Sequence, residues 1–239
     1  MEWLFISPHF DDVAYSCGGL VWELCQAGHP VTIWTIFSGS QLTQPMPATA
    51  QLIHSEWGVG PEILRQRPEE DKHSCAILGA AWRHSDWLDC IYRYRADGAP
   101  LIEIKPDLWS AVPEPELVAE LTAAVRQAAN PTVQLVCPMA LGSHVDHRLV
   151  QAAVEAVGRP LLYYADYPYI LTADAVLAEM ETGAWRRIPA VISDPGLAAW
   201  QEASLAHVSQ MSTFWQSARD LEVTLRNFWS GGGGRLWRR

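Results

Sequence analysis

The sequence predicts an α/β fold, a mostly parallel sheet with helices on both of its faces. A strand, a helix and a second strand follow one another within residues 3–37, and such a βαβ unit joins parallel strands by a right-handed crossover. Its 239 residues suit one domain of this class, so we predict a single Rossmann-like domain over residues 1–230. Residues 231–239 are predicted to be a glycine-rich, basic tail with a solvated end.

The N-terminal βαβ unit follows from local patterns. Apolar residues alternate over residues 3–7 and stop at Pro8, which predicts the first strand. A pair of glycines opens a helix at residues 20–27, and Gly28 closes it. The β-branched and aromatic residues of 31–37 predict the second strand.

The rest of the chain predicts further helices and strands, separated by two long irregular segments. Residues 38–60 and 96–113 are rich in turn-forming residues and are long enough to be functional loops. Acidic residues in its first turn, where the helix dipole favours them, support a helix at 114–129. The other predicted elements are helices at 69–81, 146–157, 174–182 and 196–208, the last continuing past residue 210 towards 228, and strands at 87–92, 101–104, 133–137 and 161–165.

Composition and charge argue against two classes of partner. An apolar fraction of 49% is enough to build a sizeable core. A formal charge of −10 argues against nucleic-acid binding, which needs clustered Lys and Arg. No run of about 18 apolar residues occurs, so we expect no membrane span.

The N-terminus and the cysteines predict a cytoplasmic protein. The N-terminus lacks the basic start and long apolar region of a signal peptide. The five cysteines are an odd number and include no Cys-x-x-Cys pair, so we expect buried free thiols in a reducing compartment.

Two clusters of histidine and aspartate carry the chemistry of this sequence. Each follows a strand-like run, and the clusters are His9-Phe10-Asp11-Asp12 and His144-Val145-Asp146-His147. Ligands of parallel sheets bind beyond the carboxyl ends of the strands, so the clusters would meet if the two preceding strands lie close together. Together they offer three imidazole or carboxylate ligands, a spare carboxylate and a spare imidazole, which are the parts of a hydrolytic zinc site.

Each residue taken alone has a simpler interpretation. A single histidine near a strand end is usually a hydrogen-bonded structural residue, and Asp12 could cap the helix that follows it. Adjacent aspartates such as Asp11 and Asp12 repel each other unless a cation or a proton relieves the charge. A divalent metal supplies that relief, so the joint pattern favours a metal site.

The two clusters resemble the signature motifs of the PIG-L/LmbE-like family of zinc-dependent N-deacetylases. The first cluster, with Cys17-Gly18-Gly19 after it, is similar to the His-Pro-Asp-Asp motif, and the second matches His-x-Asp-His. Three further segments resemble others in the family or its bacterial subgroup: Arg67-Pro68-Glu69-Glu70-Asp71 with Leu78-Gly79, Asp89-Cys90-Ile91-Tyr92-Arg93, and Tyr163-Tyr164-Ala165-Asp166-Tyr167-Pro168-Tyr169. The resemblance spans residues 3–170.

The resemblance implies an N-deacetylase with one zinc ion per chain. By matching position, His9, Asp12 and His147 would bind zinc. Asp11 would be the general base that takes a proton from the attacking water. His144 would stabilise the tetrahedral oxyanion or protonate the leaving amine.

Four more residues receive supporting roles. Asp146 would orient or tune His144. Arg67, Asp89 and Arg93 are predicted substrate-binding residues, with an ordinary surface salt bridge as the alternative role of Arg93.

The sequence departs from the family pattern at three positions. Phe10 replaces the usual proline and Val13 replaces a frequent glutamate, but neither position is a ligand in the implied scheme. Some members carry a tyrosine two residues before His144 that helps to hold the oxyanion, and this chain has Gly142 there. Oxyanion stabilisation must then come from zinc, from His144 or from a residue that the sequence does not identify.

The leading hypothesis is a zinc-dependent hydrolase that removes an acyl group, such as acetyl, from an amide nitrogen of a sugar-like small molecule. Aromatic faces suit a glycoside, and four tryptophans lie in or beside the expected pocket segments, although core packing is their commoner role: Trp57, Trp82, Trp87 and Trp109. The alternatives are a metallohydrolase that cleaves an ester or phosphoester and a non-catalytic sugar-binding domain. A homo-oligomer is compatible with the sequence.

Overall fold

The structure is a computed structural model that describes residues 1–172, 183 and 185–239. Its described strands are β1 (Trp3–Ser7), β2 (Val31–Thr35), β3 (Ala81–His84), β4 (Gln134–Pro138), β5 (Leu162–Tyr164), β6 (Arg186–Arg187) and β7 (Leu236–Arg238). Its described helices are α1 (Asp12–Gln26), α2 (Ala48–Trp57), α3 (Ile63–Leu78), α4 (Asp107–Ser110), α5 (Pro115–Ala128), α6 (Val145–Glu155), α7 (Asp194–Leu205), α8 (Met211–Phe214) and α9 (Ala218–Ser230). Short 3-10 helices lie at Cys90–Tyr92, Tyr169–Thr172 and Val208–Gln210.

All the described strands form one sheet in the order β3-β2-β1-β4-β5-β7-β6. The first five strands along the chain are parallel, and β7 runs antiparallel to both of its neighbours, β5 and β6. From β1 the chain builds outwards to β2 and β3, and it then returns to the other side of β1 to form β4. The direction therefore reverses between β1 and β4, which is where open α/β sheets bind their ligands.

Helices cover both faces of the sheet, as the sequence predicts. Right-handed crossovers that run in opposite directions from β1 place α1 and α3 on one face and α6 on the other. Helix α7 packs on α1 and α3, and α5 packs on α6. The strands between these layers carry fully buried side chains, including Phe5, Ile6 and Leu135.

Helix α1 begins at Asp12 rather than at residue 20. Its glycines, Gly18 and Gly19, lie inside the helix because the indole of Trp200 packs against their backbone. A Cβ on Gly18 would lie 2.8 Å from Trp200 Cδ1, and one on Gly19 would lie 2.9 Å from Trp200 Cε3. The backbone leaves helical geometry at Cys17 (φ −154°, ψ 24°), so a second helical segment does start at the glycines, and they also allow a close contact between helices.

The segments before the fourth strand differ from the prediction in four ways. The predicted loop at 38–60 contains α2, and α3 begins at Ile63 rather than at residue 69. The strand predicted at 87–92 is wrong, because β3 lies at Ala81–His84 and the Asp89 side chain accepts a hydrogen bond from the Ile91 amide that starts a 3-10 turn. The strand predicted at 101–104 is also wrong, since these residues join no strand of the sheet.

The C-terminal third contains several helices rather than one long helix. Helix α7 ends at Leu205, and α9 starts anew after Ser217, whose hydroxyl accepts a hydrogen bond from the Asp220 amide at 3.1 Å. The helix predicted at 174–182 lies outside the described residues.

The prediction of a solvated C-terminal end is wrong. Residues Leu236–Arg238 form β7, which pairs with both β5 and β6. Leu236 and Trp237 are buried in the main core. The glycine run lets the chain turn tightly, and a Cβ on Gly234 would lie 2.5 Å from the Trp200 ring. The chain beyond residue 230 is therefore part of the packed domain.

All five cysteines are unbridged and four are buried, as the sequence predicts. Across residues 1–172 and 185–239, no helix combines the length and apolar character needed to cross a membrane.

Trp200 holds α7 against α1, and we expect its removal to destabilise the fold. The indole is fully buried, and its Nε1 donates a hydrogen bond to the Ala14 carbonyl at 2.6 Å. Because the glycines cannot fill the space it would leave, Trp200→Ala should lower the free energy of unfolding by about 3–5 kcal/mol. Urea denaturation measures this, with Trp82→Ala, a half-exposed indole, as the control that should cost less than about 1 kcal/mol.

Candidate active site

The two histidine–aspartate clusters meet at the carboxyl edge of the sheet. Strands β1 and β4 are paired neighbours, so the segments that follow them lie side by side. Asp11 is the N-cap residue of α1, and His144 is the N-cap residue of α6. Two helix N-termini, each the positive end of a helix dipole, therefore face the aspartate carboxylates.

Asp12 lies between two histidines. Its Oδ2 is 3.4 Å from His9 Nδ1, and its Oδ1 is 3.3 Å from His147 Nε2. Tetrahedral zinc, with bonds of about 2.0–2.1 Å, holds neighbouring ligand atoms about 3.3–3.4 Å apart. The donor types thus suit zinc, and each imidazole nitrogen stands at zinc-ligand spacing from a different oxygen of the Asp12 carboxylate.

Both of these histidines hold a second carboxylate on their other ring nitrogen. His147 Nδ1 is 2.6 Å from Asp166 Oδ1, and His9 Nε2 is 3.1 Å from Asp146 Oδ2. Burial lowers the pKa of His147, but Asp12 and Asp166 outweigh it and raise that pKa to about 10. The same balance, with Asp89 the largest attraction, raises the pKa of His9. The carboxylates around His9 and His147 therefore stabilise positive charge there, and a bound cation would supply that charge.

Asp166 is a site residue that sequence reasoning missed. It is 1% exposed, and besides His147 it accepts a hydrogen bond from the Leu141 amide at 3.1 Å. The signal was available, because Asp166 follows a buried parallel strand just as His9 does. An aspartate beyond β5 belongs to the same sheet edge.

Asp146 differs from its predicted role. Its carboxylate contacts His9, the Cys90 amide at 3.0 Å and the Arg93 guanidinium at 2.6 Å. Arg93 and His9 hold the pKa of Asp146 well below its usual range although burial raises it. Only the backbone amide of Asp146 reaches His144, at Nδ1. The carboxylate therefore supports His9, since its hydrogen bond among the described imidazoles goes to that ring.

Asp11 and His144 lie beside the proposed ligands and line the same cavity. Burial raises the pKa of Asp11 to about 6, against the lowering effect of Arg67, whose guanidinium is 3.9 Å away. Burial and the positive fields of His9 and His147 lower the pKa of His144 to about 3. His144 is therefore neutral, and since its Nδ1 accepts the Asp146 amide, its proton is on Nε2.

A second set of donors is also present. One ring nitrogen from each of His9, His144 and His147 lies within 4.8 Å of the other two. The geometry alone thus allows His144 to be a ligand as well as a catalytic group.

Two of the three predicted substrate-binding residues line the cavity. Arg67 is 8% exposed, and its nearest carboxylate oxygens, on Asp89 and Asp11, are 3.7 Å and 3.9 Å away. Its Nε atom has no hydrogen-bond partner in the described part of the chain. The guanidinium therefore keeps donors for a ligand, while Asp89 also caps the Cys90–Tyr92 turn.

Arg93 does not bind in the cavity, so this prediction is wrong. Its guanidinium makes two hydrogen bonds to Glu114, at 2.8 Å and 3.1 Å, and others to Asp146 and to the Leu88 carbonyl. Neither Arg93 nor any of these partners lines the cavity. The role of Arg93 is to neutralise the buried Asp146 carboxylate, and this is a buried ion pair rather than the surface pair offered as its alternative.

The site opens into a cavity of about 430 Å³. Its lining includes histidines and aspartates of both clusters, together with Trp57 and Trp109. The C-terminal third contributes Gln210 and Phe214 to the lining. Trp82 and Trp87 do not reach the cavity. The volume suits a small molecule of one or a few rings.

Three comparisons place these observations among known proteins. The family model PIG-L, described as a GlcNAc-PI de-N-acetylase, matches residues 4–157. The 2'-N-acetylparomamine deacetylase of Streptomyces fradiae is 37% identical over 182 residues, which are 74% of this chain and 60% of the relative. The protein of the same name from Niallia circulans is 28% identical over 185 residues, which are 70% of this chain and 66% of the relative. The chain thus spans less than two thirds of the length of either relative.

The fold extends the similarity over the whole chain. The crystal structure of the zinc inhibited form of teicoplanin deacetylase Orf2 has a TM-score of 0.77 and 26% identity, covering 100% of this chain and 97% of that one. The matched family residues include both histidine–aspartate clusters, and the sheet order brings those clusters together. This chain belongs to the PIG-L family of de-N-acetylases.

Proposed function

We propose that this chain is a zinc-dependent N-deacetylase that removes an acetyl group from the amide nitrogen of an amino sugar or a small glycoside. The observation that carries the proposal is the arrangement around Asp12, where two histidines each place a ring nitrogen at zinc-ligand spacing from one carboxylate oxygen. A separate buried carboxylate, Asp11, and a neutral imidazole, His144, line the same cavity. The family membership and the names of the relatives support it.

His9, Asp12 and His147 would hold one zinc ion per chain. Three protein ligands leave a position for water or substrate, as in other hydrolytic sites. Zinc bound there polarises the acyl carbonyl and lowers the pKa of a water molecule. The carboxylates of Asp146 and Asp166 fix the two imidazole rings so that Nδ1 of His9 and Nε2 of His147 face Asp12.

Asp11 moves the proton in this scheme. Its carboxylate accepts a proton from the attacking water and delivers it to the nitrogen, because an amide nitrogen cannot leave as an anion. Among the described side chains, the charged partner of the Asp11 carboxylate is Arg67, at 3.9 Å, and the carboxylate lines the cavity. Neutral His144 donates its Nε2 proton as a hydrogen bond to the carbonyl oxygen or the leaving nitrogen.

The supporting carboxylate Asp166 gives a test of the ligand assignment. Asp166→Asn should weaken zinc binding by about 10–100-fold, because His147 loses the partner that fixes its ring and raises its basicity. Competition with a chromophoric chelator measures the affinity. Asp71→Asn is the matched control, since Asp71 forms a buried pair with His84 at 2.7 Å outside the cavity. Equal affinities in Asp166→Asn and the parent would contradict the assignment.

The proposed activity is tested by assaying zinc-loaded protein with an N-acetylated aminoglycoside, N-acetylglucosamine, an O-acetylated sugar and a sugar phosphate. We expect acetate and free amine in equal amounts from an N-acetylated compound and no phosphate. Protein stripped of metal is the control. Phosphate or ester cleavage alone would favour the other metallohydrolase, and tight sugar binding without any product would favour the non-catalytic domain.

A further inference from the structure

The ring of Tyr169 fills the space above Gly142. The backbone of Gly142 has φ +80°, and a Cβ placed there would lie 2.7 Å from Tyr169 Cδ1 and 3.0 Å from Tyr169 Cβ. A side chain on residue 142 and the Tyr169 ring therefore exclude each other. Because a Cβ on residue 142 would lie 3.0 Å from the Tyr169 Cβ, the two side chains would begin at nearly the same place.

Tyr169 lines the cavity next to the proposed metal ligand His147. Its ring stands edge-on to His147, with centroids 5.9 Å apart and an angle of 86° between the planes. It borders the same cavity as Asp11 and His144. Its hydroxyl carries one proton that an acceptor on a ligand in this cavity can share.

Asp166 fixes the position of this ring relative to the proposed ligands. The Asp166 carbonyl accepts a hydrogen bond from the Ile170 amide at 2.8 Å, which closes the turn that contains Tyr169. Its carboxylate binds His147 and the Leu141 amide, next to Gly142. One buried residue thus ties together the ring, the glycine beneath it and a proposed metal ligand.

We propose that Tyr169 is a catalytic residue whose hydroxyl donates a hydrogen bond to the acyl oxygen as negative charge develops on it. The proposal rests on the N-deacetylase function put forward above. Preorganised donors at a developing oxyanion contribute much of the rate of acyl transfer, and Gly142 offers no side-chain donor. Tyr169, which lies in the segment after β5, thereby supplies a hydrogen-bond donor to the oxyanion beside the proposed ligand His147.

The reaction balances without a change in the tyrosine. The water oxygen bonds to the acyl carbon, the π electrons of the carbonyl move to its oxygen, and Asp11 takes the water proton. Asp11 then gives this proton to the nitrogen while the oxyanion electrons re-form the carbonyl and the C–N bonding pair leaves with the nitrogen. The products are the amine and acetic acid, which loses the second water proton to solvent as acetate. Tyr169 keeps its proton and only shares it, most strongly with the oxyanion.

Tyr169→Phe tests the proposal because it removes the hydroxyl and keeps the ring over Gly142. The probe is the methylphosphonamidate of glucosamine, in which tetrahedral phosphorus replaces the acetyl carbon. We expect binding of this probe, measured by calorimetry on zinc-loaded protein, to weaken by about 10²–10³-fold, with kcat falling in parallel. Zinc content and the affinity for the product glucosamine should stay at the parent values.

Two further phenol deletions make the result specific. Tyr163→Phe removes a hydroxyl that hydrogen-bonds Glu155 outside the cavity, and it should leave probe binding unchanged. Tyr15→Phe removes a buried phenol that lines the same cavity and, like that of Tyr167, has no hydrogen-bond partner in the described chain. A larger loss in Tyr15→Phe than in Tyr169→Phe, or equal losses of probe and glucosamine in Tyr169→Phe, would overturn the proposal. If the parent protein releases no acetate and binds no probe, the proposed function itself fails.

Discussion

Asp11→Asn is expected to lower kcat by about 10²–10⁴-fold while zinc stays bound. Asparagine has the same shape as aspartate but cannot accept a proton at neutral pH, so the attacking water and the leaving nitrogen lose their shuttle. Zinc remains because Asp11 is not among the three proposed ligands: its nearest charged side-chain contact is Arg67, at 3.9 Å. Acetate release under saturating substrate gives kcat, and elemental analysis of the same sample gives the zinc content.

The comparison needs a control that removes a carboxylate away from the site. Asp86→Asn does so on an exposed loop and should keep both the rate and the zinc. A variant at Asp11 that loses zinc would show that Asp11 is a ligand, whereas one that keeps its full kcat would show that another group moves the proton. Each outcome identifies a different error in the scheme.

The predicted fold and the six cluster residues came from short-range patterns that the structure preserves. A strand that ends in a histidine–aspartate cluster can be recognised locally, and the parallel pairing of β1 with β4 then brings the two clusters together. Local patterns could not show that Gly18 and Gly19 make room for another helix, because the Trp200 ring that packs on them is 182 and 181 residues away in sequence. The same holds for β7, whose burial depends on the strands beside it.

The sequence also could not show which charged side chains pair with one another. The sequence indicates that Asp146 and Arg93 belong to the site, but their partners depend on how α6 is rotated and on where Glu114 lies. The structure shows them as one buried ion pair behind His9, and it adds Asp166 behind His147. The resemblance supplied roles by position, and only the contacts could decide which imidazole each carboxylate supports.

His147→Ala is expected to weaken zinc binding more than removal of a supporting carboxylate does. That removal lowers the affinity by about 10–100-fold. The substitution removes one of three proposed protein ligands and leaves Asp12 facing only His9. Thermal unfolding with and without zinc provides the readout, since a ligand present at 100 times its Kd stabilises a folded protein by about 2.7 kcal/mol. The parent should gain this stability on addition of zinc, and the variant should not.

Removal of His147 also leaves the buried Asp166 carboxylate without its imidazole, so the variant itself is expected to be less stable than the parent. His147→Gln keeps a polar group near Asp166 and separates the two effects, because a folded glutamine variant must still lose the response to zinc. His73→Ala, at an exposed histidine, should respond to zinc like the parent. A full zinc response in both His147 variants would exclude this residue as a ligand. It would also exclude the set of three histidines described above, which includes His147. The result would then favour a site built on His9, His144 and carboxylates.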